Sequence, residues 1–155
     1  MSSDAWLLVH LVGVVLFIGN IVVTAVWKLM ADRTRVPAIV AYAQRLVTVT
    51  DIAFTATGAA LIAISGPALA EDLGGIGGPA WLTLGFALFI ASGIIWATVL
   101  IPIQIAQARM ARTFRAEEKV PPGYWRLARL WVVFGTIATV LPLANLYLMV
   151  VKPDL

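Results

Sequence analysis

The residues best suited to chemistry form one stripe on the first apolar segment of the chain. This segment, 6–28, reads WLLVHLVGVVLFIGNIVVTAVWK. Five of its residues follow one another at steps of three, four, three and four: His10, Gly13, Phe17, Asn20 and Thr24. This spacing places them on one face of a helix, opposite a face of Val, Leu and Ile. Because lipid offers no hydrogen-bond partners, the stripe must face other protein, water or a cofactor.

His10 is the only histidine in the chain, so any function that needs an imidazole must use it. One hypothesis makes His10 the metal ligand of a haem b, with Gly13 leaving room for a flat ring and Phe17 and Asn20 on the same face. The alternative is an interfacial histidine that hydrogen-bonds a neighbouring helix. In that case Gly13 would allow two helices to pack closely. A single histidine provides only one axial ligand per protomer.

A second polar face lies on the next apolar segment and includes a carboxylate. Its residues again follow steps of four and three: Gln44, Thr48, Asp51, Thr55 and Gly58. Asp51 falls within the expected hydrocarbon zone, where an unpaired carboxylate is costly. We therefore expect an ion pair between Asp51 and an arginine at similar depth, with Arg129 first, Arg45 second and Arg126 also in reach. A structural ion pair, a proton relay and an anchor for a propionate-bearing ligand all stay open.

Composition shows which kind of protein carries these stripes. The chain has 155 residues, of which 61% are hydrophobic and 12% charged, and its mean hydropathy is +0.95. A soluble domain has about 25% charged residues, so we expect one integral membrane domain spanning 1–155. The absence of cysteine excludes disulfides, thiolate metal sites and haem attached through cysteine. No basic residue precedes the first apolar run, so this run is expected to be a retained span and not a signal peptide.

Four apolar segments are long enough to cross a bilayer, which takes about 20 helical residues. They cover 5–29, 37–65, 80–107 and 123–151. Short loops join them, which predicts an all-α, up-down-up-down antiparallel bundle. Ten of the eleven basic residues belong to the loops and helix ends after segments one and three. The positive-inside rule then places both termini outside the cytoplasm, and this explains the net charge of +3 without nucleic acid.

Five runs of sequence, taken together, resemble those of a known family. They are HLVGVVLFIGNIVVTAVWKLMADRT, QRLVTVTD, GIIWATVLIPIQ, PPGYWRL and LPLANLYLMV. Together they resemble a bacterial family of predicted four-helix membrane proteins, the domain of unknown function 2269, over nearly the whole chain. The resemblance supports the predicted topology and implies no established activity.

The first helix also has a looser likeness. His10, Phe17 and Gly19 are similar to the start of the HemJ-type protoporphyrinogen oxidases and the CopD-type copper-resistance membrane proteins. In the HemJ type the matching histidine is implied to bind haem b, which would make this chain a haem-dependent oxidoreductase. The chain departs from that pattern, because Phe17 stands where tryptophan is usual and Lys28 replaces the arginine of a Pro-Arg pair.

Three functional hypotheses follow from these residues. The first is a b-type haem protein of the bacterial inner membrane with a redox or porphyrin-handling role, its haem held by His10 near the outer side. The second is a small accessory or assembly subunit of a larger membrane complex, with no chemistry of its own. The third is a proton or ion translocator that uses Asp51. The expected partners are the lipid bilayer and either further copies of the chain or a larger membrane complex.

Overall fold

A computed structural model describes residues 2–115 and 118–154 of the chain. Within these ranges the protein consists of helices without strands, and four helices are long and apolar enough to cross a membrane. They are α1 (Ser3–Thr34), α2 (Pro37–Leu73), α3 (Ala80–Ala111) and α4 (Pro122–Val151). The predicted all-α fold with four spans is confirmed.

The helices are longer than the apolar segments predicted. α1 continues to Thr34 where the prediction ended at residue 29, and α2 continues to Leu73 where it ended at residue 65. Hydropathy marks the part of a helix that crosses lipid, whereas the backbone hydrogen bonds continue through polar residues beyond it. α1 ends where Arg35 adopts a left-handed conformation with φ of 56°, and Pro37 starts α2 in the first helical position.

The helices associate mainly as two pairs, α1 with α2 and α3 with α4, whereas α1 and α4 approach each other sparsely. Ser3 meets Asp72, and Asn20 meets Asp51. Residue numbers therefore rise along α1 as they fall along α2, so these two helices run in opposite directions. Ser92 joins α3 to α4 by donating to the Ala138 carbonyl at 2.8 Å. The side of the membrane on which the termini lie stays a prediction.

The backbones of α1 and α2 approach each other closely where the two helices cross at a pair of glycines. A Cβ atom built on Gly58 would lie 2.7 Å from both the Gly13 carbonyl oxygen and the Phe17 amide nitrogen. Only a residue without a side chain fits between the two backbones there. Gly13 therefore serves helix packing, which was one of its two predicted roles.

Two helices contain a wide π-type turn. In α2 this turn covers Asp51–Ala56, and in α3 it covers Trp96–Leu100. The α3 turn directly precedes Pro102, whose missing N–H and bulky ring disturb the hydrogen bonds of the preceding turn. Turns of this type occur frequently at functional sites, and these two bring Asp51 and Trp96 to the walls of one cleft.

Candidate functional site

A network of buried side chains surrounds the Asp51 carboxylate, which is 9% exposed. Thr55 donates to Oδ1 of Asp51 at 3.0 Å. Asn20 reaches from α1 with its amide nitrogen, which donates to the same oxygen at 3.2 Å and to Thr55 Oγ1 at 2.8 Å. Gln104 of α3 donates to Oδ2 at 2.6 Å. Three helices therefore converge on one carboxyl group.

The orientation of the Asn20 amide is set by a neighbour on its own helix. The Thr24 hydroxyl donates to Asn20 Oδ1 at 3.1 Å, which leaves the amide nitrogen to face Asp51. Asn20 lies three residues from the centre of the apolar segment 6–28, or about 5 Å along the helix axis. The network therefore lies deep in the bilayer, where every polar group needs a protein or water partner.

Asp51 has no ion-pair partner in the part of the chain that the structure describes: no lysine, arginine or histidine nitrogen lies within 4.0 Å of its carboxylate. The predicted pairing with Arg129 or Arg45 is corrected by this geometry. Arg129, Arg126 and Arg45 are all exposed. In the first turns of α4 the buried residues are Tyr124, Ala128 and Trp131. The rotation of α4 that buries these three turns Arg126 and Arg129 outward.

A second buried polar cluster lies at the arginine-rich end of the bundle, called here the basic end. Lys28 is fully buried and pairs with Asp32 at 3.0 Å. Its ammonium also donates to the Tyr124 hydroxyl at 2.9 Å. That hydroxyl lies 3.3 Å from Asp32 Oδ1 and 3.4 Å from Gln44 Oε1, both acceptors for its single hydrogen. The cluster therefore ties α1, α2 and α4 together.

Sequence reasoning missed the role of Lys28 although a signal for it existed. Lys28 and Asp32 continue the polar stripe of α1 from Asn20 and Thr24 at steps of four, and such steps keep residues on one face. The charge pattern instead groups Lys28 with the basic residues of the loops and helix ends. Gln104 was also missed, although Gln107 follows it three residues later on α3 and such a step keeps two polar residues on one helix face.

The comparison with known sequences decides the family of this chain. The sequence profile of a family described as predicted integral membrane proteins, DUF2269, matches residues 5–153. The chain belongs to that family. No curated protein and no solved structure was found to match it. The chain is therefore an integral membrane protein that crosses the bilayer several times.

The structure places His10 away from the Asp51 network, at a contact between α1 and α2. Its Nδ1 atom lies 3.0 Å from Ser65 Oγ. The Ser65 hydroxyl uses its hydrogen on the Leu61 carbonyl at 2.6 Å. In the tautomer that carries its hydrogen on Nδ1, His10 donates to Ser65 and Nε2 of the ring keeps its lone pair.

The other residues expected around a haem do not form a slot for a flat ring. A Cβ atom on Gly13 would lie 3.0 Å from both the Gly58 carbonyl and Leu61 Cβ, so α2 already fills that space. Phe17 is 6% exposed and Asn20 is bonded to Asp51. These residues do not fit a haem on their face of α1, because the face is used for helix packing. Within the described residues there is also no cluster of three acidic, histidine or cysteine side chains that would hold a metal ion.

Proposed function

We propose that this protein moves protons through the membrane, with Asp51 as the group that takes up and releases them. The observation that carries the proposal is a carboxylate near the middle of the bilayer that, among the described residues, is bonded only to the neutral donors of Asn20, Thr55 and Gln104. Ionisable residues inside membrane helices typically mark ion pathways or proton relays. A purely structural carboxylate would be expected to have a cationic partner.

The orientation of the amide groups favours a proton over a metal ion. Asn20 and Gln104 both turn their nitrogen atoms towards Asp51. Hard cations such as Na⁺, Mg²⁺ and Ca²⁺ bind oxygen ligands, and a site for them would turn the amide oxygens inward. The arrangement therefore suits a carboxylate whose charge is neutralised by a proton and not by a metal ion.

Polar side chains lead from Asp51 towards the basic end. On α1 they continue through Thr24 to Lys28, one helical turn further on, where Lys28 joins the Tyr124 hydroxyl. On α3 Gln107 lies one turn beyond Gln104 and is fully buried, and no residue in 2–115 or 118–154 bonds either of its amide atoms. Buried amides of this kind are where internal water binds, and such water would link Asp51 to the basic end.

A hydrophobic carbodiimide tests the proposal directly, because it reacts with protonated carboxyl groups in apolar surroundings. We expect mass spectrometry to find the adduct on Asp51 in wild-type protein and none in Asp51→Asn. Asp4→Asn, which removes an exposed carboxylate from the same bundle, is the matched control and should label like the wild type. An Asp51 that never reacts in folded protein, but reacts after unfolding, would contradict the proposal.

Transport is measured in liposomes that contain a trapped pH-sensitive dye. Imposing a potassium diffusion potential should drive proton movement in vesicles with wild-type or Asp4→Asn protein, and Asp51→Asn should reduce it to the rate of empty vesicles. Labelling of Asp51 without proton flux, together with a stoichiometric large partner in native membranes, would favour the accessory subunit instead. For either role we place the protein in the inner membrane of a bacterium, with its basic end in the cytoplasm.

A second candidate function is haem binding through His10, and one observation supports it. Ser65 faces Nδ1 of the imidazole at 3.0 Å, and a hydrogen bond from Nδ1 would leave Nε2 free to bind iron, as the outer partners of metal-bound histidines do. The ring would have to lie elsewhere than over Gly13. Purified protein from cells supplied with a haem precursor should then show a Soret band that His10→Ala removes. A colourless preparation would remove this candidate and leave the proton proposal intact.

A further inference from the structure

A cleft of about 310 Å³ lies between α1, α3 and α4, and Asp51 lies in its wall. It exists because α1 and α4 approach each other sparsely. Val22 and Val26 on α1 and Val140 on α4 line it while each is more than 40% exposed at the bundle surface. The cleft therefore opens sideways into the lipid and leads inward to the carboxylate.

The walls of the cleft restrict what could bind there. They are almost entirely apolar, apart from Asp51 and a few hydroxyl and amide groups around it. A strongly polar ligand would lose its hydration without gaining partners, and an anion would be repelled by the carboxylate. A molecule with apolar groups and one positive charge satisfies both the walls and Asp51.

Two indole rings strengthen the case for a cation. Trp96 and Trp131 both line the cleft together with Asp51, and the indole nitrogen of Trp96 is buried with no hydrogen-bond partner among the described residues. Indole faces attract ammonium groups, and aromatic walls are a common means of recognising quaternary ammonium. In this protein the Lys28 ammonium already lies 5.5 Å from the centre of the Trp131 ring. Asp32 balances the charge of Lys28 at 3.0 Å, which leaves Asp51 as the unbalanced charge of the cleft.

We propose that the cleft binds a lipophilic organic cation, such as a quaternary ammonium or phosphonium ion, which enters from the lipid. Its charge lies against Asp51 and Trp96, and its apolar groups lie along α1 and α4. This inference rests on the proposed function, because it uses the carboxylate that is to exchange protons. A cation and a proton then compete for Asp51, so binding of one releases the other.

Tetraphenylphosphonium serves as the probe, and its binding to full-length protein in nanodiscs is measured by equilibrium dialysis. We expect saturable binding with one cation per chain. Asp51→Asn should weaken it on the order of tenfold or more, as for loss of one partner from a buried charge pair. Trp96→Phe should weaken it about two- to fivefold. Trp81→Phe, which alters an indole that is not among the lining residues, is the matched control and should bind like wild type.

A cleft-filling variant provides a test that leaves Asp51 in place. Gly135 lines the cleft, and a Cβ atom built there meets nothing within 4 Å, so Gly135→Phe should fold and occupy the space of the ligand. Gly93 has equally open surroundings but does not line the cleft. We expect Gly135→Phe to abolish binding and Gly93→Phe to keep it. Circular dichroism checks that all variants keep the wild-type helix content.

The two proposals fail in different ways. Carbodiimide labelling of Asp51 with no saturable binding of the phosphonium would overturn the cation site and leave proton exchange standing. Saturable binding that Asp51→Asn does not change would also overturn it, since the cation would then bind at a site that does not use this carboxylate. If a second copy closes the cleft, wild-type protein will run as a dimer that Gly135→Phe splits and will bind no phosphonium, which overturns it as well. Protection of Asp51 from carbodiimide by the phosphonium would support both proposals.

Discussion

The close crossing of α1 and α2 predicts how much stability the protein loses when each of three glycines is replaced by alanine. A Cβ atom on Gly58 would lie 2.7 Å from two backbone atoms of α1. Ordinary contact begins at 3.4 Å, so Gly58→Ala requires the two helices to separate by about 0.7 Å. Backbone atoms cannot rotate away as a flexible side chain can, and overpacking of this kind costs about 1–3 kcal/mol.

The Asp51 network lies close enough to this crossing to be disturbed when the two helices separate. Thr55 precedes Gly58 by one turn and accepts the 2.8 Å hydrogen bond from Asn20, which separation of the helices would lengthen. An interhelical hydrogen bond in a membrane contributes about 0.6–2 kcal/mol. We therefore expect Gly58→Ala to lower the free energy of unfolding by roughly 2–4 kcal/mol, or the midpoint of thermal unfolding by about 5–15 °C.

Substitutions at Gly13 and Gly19 provide the comparison for Gly58→Ala. Gly13→Ala would place its Cβ 3.0 Å from the Gly58 carbonyl, but its other close neighbours are the side chains of Leu61 and Ile62. Leu61 Cβ is held by its backbone, but all these contacts are longer than the 2.7 Å contacts at Gly58, so the loss should be about 1–2 kcal/mol. Gly19→Ala meets nothing within 4 Å and should be neutral or stabilising by up to about 1 kcal/mol. Thermal unfolding followed by circular dichroism in detergent should give the order Gly58, Gly13, Gly19. Equal stability of the Gly58 and Gly19 variants would refute the close crossing.

Two further predictions concern the other interhelical contacts. Lys28→Met leaves the partly buried Asp32 without its ion-pair partner, so it should cost about 3 kcal/mol, and adding Asp32→Asn should recover part of the loss in the same unfolding assay. Additive losses would show that the two charges are not coupled. Ser92→Ala removes the hydrogen bond from α3 to α4 and should cost about 0.6–2 kcal/mol. Its control is Thr98→Val, which removes an exposed hydroxyl bonded within its own helix. If both variants lost the same free energy of unfolding, the hydrogen bond between α3 and α4 would not stabilise the protein.

Local pattern was enough to predict the four spans and the inward face of α1. The length of a span follows from the thickness of the bilayer, and residues three or four apart share a helix face. Gly13, Phe17, Asn20 and Thr24 are indeed the buried residues of the middle of α1. The burial of Asp51 followed from its position in an apolar segment. These features depend on the order of residues within one helix, which a sequence states directly.

Only the tertiary structure decided which side chains meet. Gln104 bonds Asp51 across 53 positions of the chain, and Lys28 bonds Tyr124 across 96. Charge and depth alone suggested Arg129 for Asp51, but a side chain's direction depends on how its helix is rotated about its own axis. Packing of Tyr124, Ala128 and Trp131 sets that rotation for α4 and turns Arg129 outward. The cleft beside Asp51 likewise exists because α1 and α4 stay apart, and no single helix determines the distance between them.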